Sequence, residues 1–161
     1  MSSAGADCVI ALVEMRSAPV AAYAATFSRV TPPEISTGVS GRALARTRAQ
    51  ARYSGFKVGA ALETSDGDIV TGCNVESATY GLTMCAERIA VFKAVSEGFR
   101  KFSAVAVVAD SHIVTPPCGA CRQVLWEQCG DIWVHIADLK GHKKTMRLSK
   151  LLPEPFDKRF L

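Results

Sequence analysis

The spacing of apolar and polar residues changes repeatedly after residue 55, and each change marks a predicted element of structure. The segments "FKVGAALET" and "DIVTGCN" are joined at "SDGD", and an Asp-Gly pair between two such segments predicts a β-hairpin. Farther along, "FSAVAVVAD" is apolar almost without interruption, which is typical of a strand covered on both faces. "IWVHIAD" predicts another strand, and the basic segment "KGHKKTMR" predicts a turn and an edge strand.

Three segments are predicted to be helical. The first, "SGRALARTRAQARYSG", offers Ser40 as an N-cap and a Ser-Gly stop at residues 54 and 55. The second covers residues 81–97, is apolar nearly all round, and ends at Gly98. The third follows the loop that begins "TPPCGAC". A hairpin followed by alternating helices and strands predicts an α/β fold in which one sheet carries helices on both faces.

Length and composition fit a single globular domain preceded by an extension. The chain has 161 residues, 48% of them hydrophobic and 21% charged, and its net charge of +4 does not demand a nucleic-acid partner. Residues 1–38 carry few charges and no motif, so we treat them as an N-terminal extension of unknown role ahead of a domain at 39–161. The apolar stretch at residues 8–27 is interrupted by Glu14 and Arg16, so neither a membrane span nor an export signal is expected. A cytoplasmic location, where thiols stay reduced, is therefore the default expectation.

The candidate chemistry begins with polar residues at the start of an apolar helix. In "CAER", Cys85, Glu87 and Arg88 precede residues that are typical of a core helix. A protein core accepts an unpaired carboxylate or guanidinium only at a large cost in free energy. The two charged residues are therefore either ordinary surface residues of an exposed first turn or parts of a site.

A second thiol motif lies at the start of the next predicted helix. Cys118 and Cys121 in "CGAC" are three positions apart, on one helical face, so both sulfurs can reach one point. Such a pair is compatible with a redox site, half of a metal site, or two buried cysteines. If the two helix starts meet at the sheet edge, Cys85 joins the pair, and three thiolates with one open position are typical of catalytic zinc.

The residues around such a zinc site have predictable roles. A carboxylate two residues beyond a ligand, as Glu87 is beyond Cys85, can move a proton from water to a leaving group without binding the metal. Three thiolates on one zinc ion leave a net negative charge, which Arg88 can compensate. A structural site would need a fourth protein ligand, and the histidines lack helix-start spacing for it: His112, His135 and His142.

Taken together, these motifs resemble those of the small homotetrameric, zinc-dependent cytidine deaminases of nucleoside salvage. "CAER" and "PPCGACRQ" match the zinc signature of that family, and "YSGFKVGAAL", "GCNVESATYG" and "LLPEPF" match the segments around it. The resemblance implies a three-layer α/β/α fold with a central mixed five-stranded sheet. It also implies hydrolysis of cytidine and 2′-deoxycytidine to uridine, 2′-deoxyuridine and ammonia, by water that a zinc ion activates, in pyrimidine salvage.

The resemblance also implies roles for individual residues. The zinc ligands are Cys85, Cys118 and Cys121, one Zn²⁺ per subunit, with Glu87 as the proton shuttle. The substrate-binding positions are Phe56 against the pyrimidine, Asn74 and Glu76 at the ribose 3′-hydroxyl, and the Ala86 main-chain N–H at the base O2. Tyr80 and Phe156 lie in segments that reach a neighbouring subunit. The implied partners are a nucleoside substrate and identical subunits with shared active sites, with no membrane and no nucleic acid.

Two other functions remain compatible with these residues. A deaminase that acts within a nucleic-acid strand would need a groove lined by basic and aromatic residues, and the chain has no insertion to build one. A non-enzymatic, zinc-stabilised binding module would leave Glu87 without a role. Taken singly, Phe56 could be a core residue, and Asn74 and Glu76 could simply point to solvent.

Overall fold

A computed structural model describes residues 45–161. Its strands and helices are β1 (Val58–Thr64), β2 (Ile69–Cys73), α1 (Ala86–Ser96), β3 (Phe102–Ala109), α2 (Gly119–Cys129), β4 (Trp133–Ala137), β5 (Lys143–Arg147) and α3 (Leu148–Leu151). Short 3₁₀ turns occupy Tyr80–Leu82 and Lys158–Phe160. The predicted extension at 1–38 and the predicted N-cap at Ser40 lie outside the described residues.

The five strands form one mixed sheet in the order β2-β1-β3-β4-β5. β1 is antiparallel to both β2 and β3, β4 is parallel to β3, and β5 is antiparallel to β4. The strands β2, β3 and β4 therefore share one direction. Two crossovers, through α1 and then α2, advance across the sheet in the same sense. Right-handed crossovers place both helices on the same face, so both helices begin at the edge where β2 and β3 end.

Burial on both faces of β3 confirms the prediction made from its apolar sequence. On the helix side, the fully buried residues of the shared core include Leu62, Val91, Val105, Leu125 and Val134. On the opposite side, Ala104, Ala106 and Val108 are also buried. The strand is therefore covered from both sides. The predicted α/β class with a mixed five-stranded sheet is confirmed.

A close main-chain contact between β2 and α1 positions the start of that helix. Gly72 is buried in β2, and a Cβ atom there would meet the main-chain oxygen of Ala86 and lie 2.6 Å from Ala90 N. Glycine lets the two backbones approach this closely. The helix start that carries Cys85 and Glu87 is thereby held directly against the sheet.

The helix predicted over residues 81–97 begins later than expected. α1 starts at Ala86 with Cys85 as its N-cap, and the predicted stop at Gly98 is confirmed by a φ of 96°. Ahead of the helix, Met84 and Val75 exchange two main-chain hydrogen bonds, of 2.9 and 3.0 Å. The prediction of helix over 81–85 was wrong because this bridge uses the main-chain groups of Met84.

The helix predicted to run from Ser40 to the Ser-Gly stop ends early. Residues 45–47 are helical, and a turn follows at 48. Gln50 N donates to Asn74 O at 2.9 Å, and Glu76 N donates to Gln50 O at 2.9 Å. The helix prediction was therefore wrong over residues 48–54, because pairing with a distant segment overrides local helix propensity.

Candidate active site

Three thiols come together where α1 and α2 begin. Cys85 is the N-cap of α1, Cys118 is the N-cap of α2, and Cys121 lies in the first turn of α2. Their Sγ atoms lie within 4.8 Å of one another, and Cys85 Sγ is 3.9 Å from Cys118 Sγ. Cys121 is buried, Cys85 is half-buried and Cys118 is exposed. The two helix starts thus meet at the sheet edge, which is the condition under which the sequence analysis expected the three thiols to form one site.

Cys85 and Cys121 differ in how readily their thiols ionise. Hydrogen bonding to Cys121 and to the Arg88 guanidinium lowers the pKa of Cys85 to about 5, against the opposing effect of burial. The hydrogen bond to Cys85, together with burial, raises the pKa of Cys121. The Cys85 thiolate is therefore favoured near neutral pH, and a sulfur-binding cation would also favour ionisation of Cys121.

Arg88 lies beside the thiol whose pKa is lowered. Its Nη2 donates to the main-chain oxygen of Thr83 at 3.0 Å and lies 3.9 Å from Cys85 Sγ. The hydrogen bond to Thr83 holds the guanidinium in this position. A fixed positive charge next to a thiolate suits the charge compensation that the sequence predicted.

Glu87 is buried, with 4% of its surface exposed. The alternative that it is an ordinary surface residue of the first turn is therefore wrong. Burial raises the pKa of its carboxyl group to about 7. A carboxyl group with a pKa near neutrality can both accept and release a proton under physiological conditions.

Asn74, just after β2, binds the main chain of the segment that leads into β1. Its Oδ1 accepts from Val58 N at 2.8 Å, and its Nδ2 donates to Phe56 O at 2.8 Å. Asn74 is only 8% exposed. The alternative that its side chain points to solvent is therefore wrong.

Glu76 holds the turn just before Phe56. Its carboxylate accepts from Tyr53 N at 2.7 Å, from Ser54 N at 3.2 Å and from the Ser54 hydroxyl. Ser54 Oγ in turn accepts from Phe56 N at 2.9 Å. The hydrogen bonds from Ser54 and Tyr53 lower the pKa of Glu76, so this side chain is a carboxylate near neutral pH.

The sheet brings this segment to the edge where the thiols lie. Gly59 in β1 pairs with Cys73 in β2, so the start of β1 lies beside the end of β2. Phe56 precedes β1 and is 39% exposed, which argues against the alternative that it is a core residue. Ala86, the first residue of α1, is fully buried at the same edge.

Tyr80 and Phe156, which were predicted to lie in segments that reach a neighbouring subunit, are exposed on the isolated chain. Tyr80 is 75% exposed, and its ring lies edge-on to Tyr53 with the centroids 6.1 Å apart. Phe156 is 56% exposed and stacks on Phe160 with the centroids 5.5 Å apart. Neither aromatic ring is enclosed by the described part of its own chain.

Comparison with known families identifies this arrangement. The model of the cytidine and deoxycytidylate deaminase zinc-binding region matches residues 38–136. The chain belongs to the cytidine and deoxycytidylate deaminase family. The matched region includes the three thiols and Glu87.

Individual relatives agree with this family assignment. Cytidine deaminase of Sporosarcina psychrophila is 52% identical over 115 residues, 71% of this chain and 85% of that protein. Cytidine deaminase of Halalkalibacterium halodurans is 52% identical over 113 residues, 70% of this chain and 86% of that protein. The crystal structure of cytidine deaminase from Burkholderia pseudomallei shares 45% identity and a TM-score of 0.71, covering 73% of this chain and 95% of that one.

Among the helices of residues 45–161, none has the length and apolar character that crossing a bilayer requires.

Zinc, the metal of this deaminase family, fits the thiol cluster. Sulfur ligands about 2.3 Å from a tetrahedral zinc ion lie roughly 3.8 Å from one another. The Sγ atoms of Cys85 and Cys118 are 3.9 Å apart, so this pair needs little movement to bind the ion. The predicted zinc cofactor is confirmed by the family and is consistent with this donor set.

The sequence interpretation missed three residues that support the site. Thr83 holds Arg88, and Ser54 links Glu76 to the main chain of Phe56. Arg122 donates from Nε to Pro117 O at 2.7 Å and from Nη1 to Leu151 O at 3.0 Å. Its place directly after Cys121 was an available signal, whereas Ser54 was interpreted only as part of a helix stop.

Proposed function

We propose that the protein hydrolyses free cytidine and 2′-deoxycytidine to uridine and 2′-deoxyuridine, releasing ammonia. The observation that carries this proposal is a buried carboxyl group, Glu87, at the same helix start as a three-thiol cluster. A family of deaminases and two curated cytidine deaminases at 52% identity support the choice of reaction.

In this proposal, Cys85, Cys118 and Cys121 bind one zinc ion as thiolates. Three protein ligands would leave the ion open to a reactant. The bound zinc supplies the Lewis acidity that makes water nucleophilic near neutral pH. Arg88 offsets the negative charge that three thiolates leave on a divalent ion.

Glu87 moves the protons of the reaction. It takes a proton from the attacking water and passes it to N3 of the cytosine while C4 becomes tetrahedral. It then takes the proton of the new C4 hydroxyl group and delivers it to the amino group, which leaves as ammonia while C4 regains a carbonyl. The pKa of about 7 suits both directions of transfer, because neither the acid nor the base form is strongly favoured.

The remaining substrate contacts involve the base and the sugar. Phe56 packs against the pyrimidine, and the Ala86 main-chain N–H donates to the base O2. Asn74 and Glu76 bind the 3′-hydroxyl of the ribose.

Glu76 already accepts three hydrogen bonds from Tyr53 and Ser54. A carboxylate has roughly four acceptor positions, so one remains for a substrate hydroxyl. A 3′-phosphate would be repelled by the same charge, which favours nucleosides over a nucleic-acid strand.

Exposed aromatic residues support assembly into a homotetramer with shared active sites. Tyr80, Phe156 and Phe160 are 75%, 56% and 66% exposed on the single chain. Aromatic side chains on a protein surface are enriched at subunit interfaces. Tyr80 and Phe156 would reach the site of a neighbouring subunit, and the assembled enzyme would serve pyrimidine salvage in the cytoplasm.

Ultraviolet monitoring of cytidine conversion, with and without a chelator, tests the proposed reaction. Glu87→Gln should keep its zinc and its fold but lose about 10²–10⁴-fold in turnover, because one group carries every proton transfer. Glu97→Gln is the matched control, since it makes the same change at an exposed residue at the other end of α1. A zinc-loaded Glu87→Gln protein with wild-type turnover would exclude Glu87 as the shuttle. Faster reaction on a single-stranded oligonucleotide than on cytidine would favour the nucleic-acid alternative.

A further inference from the structure

Arg122 connects two segments of the chain next to the thiol cluster. It follows Cys121 in α2, and its guanidinium donates to Pro117 O at 2.7 Å and to Leu151 O at 3.0 Å. Pro117 is fully buried and directly precedes Cys118. Leu151 is the last residue of α3, from which the C-terminal segment departs.

Of the three thiols, Cys118 is the most exposed. The direction of its side chain therefore depends on the main chain that carries it more than on surrounding packing. Pro117 O and Cys118 N belong to one planar peptide group. A hydrogen bond that fixes Pro117 O consequently fixes the plane from which Cys118 extends.

An arginine suits this position better than a lysine. The guanidinium is a rigid planar fork, and it donates from two nitrogens to two carbonyl groups at once. A lysine carries one ammonium group on a flexible stem and would not reproduce the geometry of the fork.

We propose that Arg122 is a positioning residue for the metal site. It fixes the orientation of the peptide group between Pro117 and Cys118 and anchors that group to the end of α3. This inference rests on the proposed function, in which Cys118 is a zinc ligand. Arg122 acts through the main chain of Cys118. It holds the thiol in place for the ion, so its loss weakens zinc retention.

Competition for zinc between the purified protein and a chromogenic chelator, under reducing conditions, tests this role without measuring activity. Arg122→Ala should bind zinc about 10–100-fold more weakly, the range expected when a residue that orients a ligand is lost. Arg122→Lys should fall between Arg122→Ala and the wild type. Arg100→Ala is the matched control, because Arg100 Nη1 also donates to two main-chain carbonyls, Val95 O at 2.7 Å and Phe99 O at 2.8 Å. These two bonds lie at the far end of α1, so Arg100→Ala should keep wild-type zinc affinity.

If the wild-type protein binds zinc, two results would overturn the inference. One is a wild-type zinc affinity in the Arg122 variants, and the other is an equal loss of affinity in Arg100→Ala. If Arg122→Ala does not fold, Arg122→Lys carries the test, and an unchanged affinity in that variant overturns the role of the fork. A wild-type protein that binds no zinc would overturn the proposed function as well. A wild-type protein that binds zinc and deaminates cytidine, with Arg122 variants of equal affinity, would overturn only this inference.

Discussion

Substituting alanine for Gly72 tests whether the contact between β2 and α1 sets the geometry of the active site. The added methyl carbon would meet the main-chain oxygen of Ala86 and lie 2.6 Å from Ala90 N, whereas ordinary contacts begin at 3.4 Å. Both obstructing groups are backbone, so no side-chain rotation relieves the clash. The difference at Ala90 N requires α1 to move away from the sheet by at least about 0.8 Å, and the closer contact with Ala86 O requires more, because a close-packed interior has no spare volume at this contact.

The displacement has consequences for both stability and rate. Overpacking of this kind costs about 1–3 kcal/mol. In a domain of this size each kcal/mol corresponds to roughly 2–4 °C of Tm, so Tm should fall by about 2–12 °C. Cys85 and Glu87 move with the helix start, and a misplacement of about 1 Å can cost roughly 100-fold in rate. We therefore expect a drop of about 100-fold in kcat/KM for cytidine.

Thermal unfolding followed by circular dichroism, together with initial rates at saturating zinc, measures both effects. Gly81→Ala is the control, because a Cβ there has no atom within 4 Å in the described chain and the backbone needs no positive φ. It should leave Tm and rate unchanged. A Gly72→Ala protein with a lowered Tm and wild-type kcat/KM would refute the argument that the contact positions the site. An unchanged Tm would refute the close contact itself.

Three further predictions address the substrate, the assembly and the half-buried thiol of Cys129. Glu76→Ala should lower kcat/KM for cytidine far more than for free cytosine, which lacks the sugar hydroxyl; equal losses in parallel rate measurements would argue against a ribose contact. Phe156→Ala should raise KM with a modest effect on Tm, and sedimentation of the wild type should show an oligomer; a fully active monomer would contradict shared sites. Burial raises the pKa of Cys129 to about 12, so its thiol should stay protonated at pH 8 and react slowly with iodoacetamide in the zinc-loaded protein. Mass spectrometry of the alkylated protein checks this, and rapid native labelling at Cys129 would contradict it.

Features that depend on local chemistry could be predicted from the sequence. The Asp-Gly turn between β1 and β2, the stop at Gly98 and the two-sided burial of β3 follow from turn stereochemistry and hydrophobic pattern, and the structure contains all three. The order of the "CAER" and "CGAC" motifs indicated the family and its zinc cofactor. These motifs carry their information in residue type and spacing, which folding does not change.

Long-range pairing decided the features that the sequence left open or misplaced. Both incorrect helix predictions failed where Gln50 and Met84 pair through their main chains with the segment around Val75. The residue types alone do not specify these main-chain pairings, because they form only when the segment after β2 lies beside both Gln50 and Met84. Local helix propensity is too weak to compete with such tertiary pairing.

Tertiary structure also decided the chemistry of the site. The sequence left Glu87 either exposed or functional, and its burial depends on packing against distant elements. Cys85 and Cys118 are 33 residues apart in the chain, yet their Sγ atoms are only 3.9 Å apart. The two sulfurs meet because the two crossover helices, of the same hand, begin at one sheet edge. Likewise, the hydrogen bond from Arg122 to Leu151 joins residues that are 29 positions apart in the chain. The hydrogen bonds that Glu76 accepts from Ser54 and Tyr53 join residues 22 and 23 positions apart. Burial, pKa and hydrogen-bond partners are properties of the neighbours that the fold brings together, and the sequence determines them only through the fold.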